Sequence, residues 1–116
     1  MKIEFYRFGQ MIIDGKKYTS DLKIIKGEII PNWWRKQGHL LQIEDLQDII
    51  DAKPHTLVVG TGANDLMRLA PNLATELGKL GIRLEAISTA LAMERFNELI
   101  KLQGLENIAG AFHLTC

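Results

Sequence analysis

Cysteine is almost missing from this chain: Cys116 is the only one among 116 residues. One thiol excludes an intramolecular disulfide and fits a reducing compartment. Net charge is missing too, because Lys plus Arg and Asp plus Glu each total 14. A nucleic-acid binder normally carries a basic excess, so no nucleic-acid partner is expected. The charge is unevenly spread: residues 1–40 hold eight basic and four acidic groups, and residues 41–60 hold one and four. A mildly basic first third reads as a solvated face or as a docking surface. No apolar run approaches ~18 residues, and Met1-Lys2-Ile3-Glu4-Phe5 has no apolar signal-peptide core. A soluble, cytoplasmic protein without a membrane partner is the expectation. His39, His55 and His113 are the only histidines, and none stands at a metal-site spacing from another ligand. Neither a metal nor a cofactor is expected.

What is there is organised around Thr56-Leu57-Val58-Val59-Gly60-Thr61-Gly62-Ala63-Asn64-Asp65. The β-branched and aliphatic start has the composition of a strand buried on both faces. It ends in Gly-Thr-Gly, where the backbone turns sharply and exposes consecutive N–H groups. A buried parallel strand opening into a glycine loop is where α/β proteins commonly bind small ligands.

Around that strand the chain divides into three stretches. Residues 1–30 read as a β-meander, with hairpin signals at Asp14-Gly15 and Lys26-Gly27. Pro31 stops the pairing. Residues 31–42 form a connector rich in Trp, Arg and His, and one of its adjacent tryptophans, Trp33 or Trp34, is expected to plug a seam. Residues 43–116 alternate helix and strand. Ile43, Leu46, Ile49 and Ile50 share a helical face that ends at Lys53-Pro54. Asn64 to Ala70 fits a single helical turn. Pro71 suits a first helical position before Leu73, Leu77 and Leu80, and Gly81 suits the residue after the helix. Ile82–Ile87 alternates as a strand, Ser88 or Thr89 caps a long helix, and Asn107–Leu114 is the last strand. Such alternation predicts one three-layer α/β domain over residues 1–116. It has a mixed, mostly parallel central sheet, helices on both faces and an N-terminal β-meander layer.

The chemistry is sparser. Gly60-Thr61-Gly62-Ala63-Asn64-Asp65 puts Asp65 where a dinucleotide fingerprint needs a small residue, and no G-x-x-x-x-G-K-[ST] run exists. Two readings of the loop stand: a backbone nest for a small anion, or a tight turn that merely needs glycine. Arg35 and His39 supply a positive charge or a proton-transfer group if the connector folds over the loop. Alternatively Arg35 stacks on a neighbouring Trp and pairs with a carboxylate. Gly60, Thr61, Gly62, Thr89, Arg35 and His39 are the candidate anion pocket. In the tail, His113 and Thr115 share one strand face and Cys116 points to the other, which weakens a Cys–His nucleophile. No catalytic residue is assigned.

Phe8-Gly9-Gln10-Met11, Asp14-Gly15, Trp34-Arg35 with His39, Leu57-Val58-Val59-Gly60-Thr61-Gly62, Thr89 with Ala92 and Asn97, and Phe112-His113-Leu114-Thr115-Cys116 follow one another in order. With these residues the chain resembles the Mth-domain family. That family includes an adipogenesis-associated protein and, more distantly, a mitochondrial complex I assembly factor. The likeness covers nearly the whole chain. It implies a three-layer α/β fold and a non-catalytic binding, assembly or regulatory role. A protein partner or self-association is then expected, with a small enzyme or anion-binding protein as the alternative. One departure stands out: Thr61 lies between the glycines where a relative has arginine, so an anion site using that side chain would differ here.

Overall fold

A computed structural model describes residues 1–116. Three strands come first: β1 (Ile3–Arg7), β2 (Gln10–Ile13) and β3 (Lys16–Tyr18), an antiparallel sheet in the order β1-β2-β3. The β2–β3 turn has φ of 49° at Asp14 and 81° at Gly15, the pair of positive values that the hairpin signal demands. Ile3, Met11 and Ile13 point inward and are buried, while charged residues take the outer positions.

The meander does not stay in one layer. β4 (Leu22–Ile25) and β5 (Glu28–Ile30) leave the first sheet and become part of the central one. Thr19-Ser20-Asp21 breaks the pairing, and Asp21 then anchors β4 beside the last strand by accepting the Leu114 amide at 2.7 Å. The central sheet runs β5-β4-β10-β7-β9, with β7 at Thr56–Thr61, β9 at Arg83–Ile87 and β10 at Ile108–His113. β10, β7 and β9 are parallel, whereas β4 and β5 pair antiparallel. Every residue of β7 and β10 is buried, as strands covered on both faces must be.

The two-residue period of these strands sorts their side chains between two cores. Val58, Ile108 and Phe112 face the long helix α3 (Thr89–Gln103) and the β1–β3 sheet, with Phe96 edge-on to Phe112 at 5.8 Å. Leu57, Val59, Ala109 and Ala111 face the other side. There they meet α1 (Gln47–Ala52), which continues a 3-10 turn at Ile43–Leu46, and α2 (Leu73–Lys79). The three-layer arrangement expected from the alternation is therefore observed.

Local details differ from the sequence reading. Asn64–Ala70 contains no helical turn. Arg68–Leu69 forms a short strand, β8, parallel to β6 (Leu40–Leu41), because the Arg68 amide reaches His39 O at 2.8 Å. α2 begins at Leu73, two residues after Pro71. Ser88 occupies the N-cap of α3 without a side-chain bond, and the Thr89 hydroxyl is engaged elsewhere. Of the two tryptophans, Trp33 is buried in the second core and Trp34 is exposed.

Candidate functional site

The connector folds over the end of β10. Its backbone is tied down at several points: Asn32 N donates to Ser20 Oγ, Trp33 N to Asp21 O and Lys36 N to Asp45 Oδ1, all within 2.9–3.0 Å. This places the Arg35 guanidinium over the Trp33 ring, 4.6 Å from its centroid, with Lys23 Nζ also 5.8 Å from that ring. Arg35 Nε and Nη2 donate to Gly38 O at 3.0 and 2.8 Å, and Nη2 also donates to Asp21 Oδ2 at 2.9 Å. The Arg35 side chain is 5% exposed.

His113, at the end of β10, completes the cluster. Its Nδ1 lies 2.7 Å from Asp21 Oδ2. A carboxylate only accepts, so Nδ1 carries the proton. The 3.2 Å between Nδ1 and Arg35 Nη2 is then two donors converging on one oxygen, not a bond between them. Burial pushes the Asp21 carboxyl up, but the bonds from His113, the Leu114 amide and Arg35 outweigh it and hold the group below its ordinary value. His39 meets the His113 ring edge-on at 5.6 Å.

Three polar atoms of this cluster are left over, Trp33 Nε1 among them. Arg35 Nη1 and His113 Nε2 are buried and have no hydrogen-bond partner. With Nδ1 protonated, neutral His113 presents a lone pair at Nε2, and the imidazolium presents a second donor. Both residues line a cavity of about 460 Å³, together with His39, Trp34, Ser20 and Thr115. That volume falls in the range of small-molecule sites.

A family model described as a protein of unknown function, DUF498/DUF598, matches residues 3–113. The chain belongs to the DUF498/DUF598 family. Among solved structures, a conserved hypothetical protein from Pyrococcus horikoshii OT3 is 28% identical over 100% of both chains, with a TM-score of 0.78. A structure named MT938 is 23% identical, has a TM-score of 0.82 and covers 99% of this chain and 98% of its own. A Mth938-like domain from Bordetella pertussis is 17% identical, with a TM-score of 0.74 over 97% of this chain and 85% of its own. The last two show the fold alone. It is the Mth938-like fold that the resemblance implied.

In this DUF498/DUF598 member the six expected pocket residues do not converge. Arg35 and His39 line the cavity, whereas Gly60, Thr61, Gly62 and Thr89 lie on the far side of the β10 exit. There the glycine loop receives the chain's own tail. Ala63 N donates to Thr115 O at 2.6 Å and Leu66 N to Cys116 O at 3.0 Å. Thr89 Oγ1 accepts Gly62 N at 2.9 Å and donates to His113 O at 2.6 Å. The Thr61 hydroxyl donates to Asp65. Gly60 needs room, because a Cβ there would stand 2.7 Å from Thr89 Oγ1. Gly62 needs both its φ of 108° and the space that the Cys116 backbone occupies. The amides at this turn are thus taken within the chain, Gly62 N by Thr89 and those of Ala63 and Leu66 by residues 115–116. Asp21 is the residue that sequence reasoning missed; it lies 92 positions from His113, and no local pattern links the two. The sequence weighs His113 only as a partner for Cys116, whereas the structure pairs its ring with Asp21.

Proposed function

We propose that this chain is a non-catalytic binding domain that holds a small carboxylate or phosphate group in the cavity beside Arg35 and His113. The observation that carries the reading is Arg35 Nη1: a buried guanidinium N–H without an acceptor costs about 1–3 kcal/mol, and a ligand oxygen would remove that cost. His113 Nε2 supports it as a second donor when the ring is the imidazolium. Asp21 and His113 are disposed like the orienting half of a triad. No hydroxyl or thiol is bonded to Nε2, however, which favours holding over turnover.

The likeness to adipogenesis-associated and complex I assembly relatives supports a second reading. In it the acidic group belongs to a protein partner or a second copy of this chain, and the exposed Trp34 favours such a contact. The single cysteine supports a cytoplasmic setting.

An NMR titration with acetate and with inorganic phosphate tests the proposal. Binding at a Kd of about 1 mM or tighter should move the amides of Arg35, Gly38 and His113. His113→Asn keeps a donor toward Asp21 while deleting Nε2, and should weaken binding about tenfold with the fold intact. Absence of shifts with both probes would sink the reading.

A further inference from the structure

Trp34 is 87% exposed, yet its surroundings are not those of a loose loop. Trp33 and the side chain of Arg35 on either side of it are buried, and the backbone amides of Asn32, Trp33 and Lys36 are each hydrogen-bonded to residues outside the connector. The indole is thus held up by an anchored frame, and it lines the same cavity as Arg35 and His113. Leaving so large an apolar surface in water forfeits the stabilisation that burial brings. A frame that fixes it there suits a role at the mouth of the cavity. The cavity holds more than a carboxylate: about 460 Å³ leaves space for a ring-sized group between the buried polar end and the indole.

Resting on the anion reading above, we propose that the ligand is an aromatic carboxylate. Its carboxylate accepts from Arg35 Nη1 and from the Nε2–H of His113 as imidazolium, and its ring lies against Trp34. Offset or edge contact between two rings adds to simple area burial, and an indole face has no donor or acceptor to satisfy. Arg35 would select the charged end and Trp34 the flat end. An aliphatic acid of the same charge would use only the first.

Benzoate and acetate, titrated by calorimetry or NMR, separate the two contributions. In the wild type benzoate should bind about tenfold tighter than acetate. Trp34→Ala, a change at an exposed position, should erase most of that gap and leave acetate affinity unchanged. Trp34→Phe should restore part of it. Equal affinities in the wild type, or a gap that survives Trp34→Ala, would overturn the aromatic assignment while leaving the anion site standing. Equal affinities together with a Trp34-dependent change in sedimentation would give Trp34 to a protein contact instead. If neither acid binds, the anion reading fails and this inference falls with it.

Discussion

Asp21 accepts from three groups at once: the Leu114 amide, Arg35 Nη2 and His113 Nδ1. Its burial disfavours the charge, and these donors more than compensate, so its carboxyl titrates below the ordinary value of 3.8. A carboxyl whose pKa is depressed by folding stabilises the native state above its unfolded value, and that contribution disappears as pH falls through the folded value. Asp21→Asn should therefore cost about 2–4 kcal/mol near neutral pH, since it leaves Arg35 and His113 facing a neutral amide. The difference between wild type and variant should shrink once the pH drops below about 4, and urea midpoints measured down to about pH 3 would report it. A constant difference across that range would mean that Asp21 acts through packing alone. Residue chemistry points to Arg35 and His39, and both line the cavity, though apart from the glycine loop with which the sequence grouped them. It could not mark Asp21, because nothing near residue 21 in the sequence hints at a histidine 92 positions away.

Elements with strong local patterns were legible, and elements defined by distant pairing were not. β7 is read from Leu57, Val58 and Val59 alone, and the β2–β3 hairpin from Asp14-Gly15, because composition and turn chemistry act within a few residues. β6 and β8 are two residues each and exist only through one another, so no periodicity could reveal either. The glycine loop falls between these cases. Its sharp turn and its exposed amides were anticipated, and its occupant, residues 115–116, was not. Gly62→Ala should cost about 2–4 kcal/mol, because alanine at a φ of 108° is strained and its methyl would overlap the Cys116 backbone. Thermal melting should register the loss. Amide exchange at Ala63 and Leu66 should also accelerate beyond the global change, since those two groups hold the tail. Unchanged exchange there would show that the loop and tail are held independently of Gly62.

At the scale of the whole molecule, the layers were predictable and their junction was not. Alternating helices and strands called for a sheet covered on both sides, and two separate cores on either face of β7 and β10 are what that produces. The departure of β4 and β5 from the meander depends on how Asp21 meets Leu114, a tertiary event with no local signature. That junction is also where the cavity forms: the β3–β4 turn, the connector and the end of β10 meet there and nowhere else. His113 is fastened from both sides, by its carbonyl to Thr89 and by its ring to Asp21. The cavity floor therefore needs no refolding to receive a guest, and capture should be a single bimolecular step. In stopped-flow fluorescence with Trp34 as reporter, the observed rate should climb in proportion to ligand concentration. A ceiling in that rate would reveal a hidden rearrangement, and the doubly fastened histidine would then be less rigid a floor than its bonds imply.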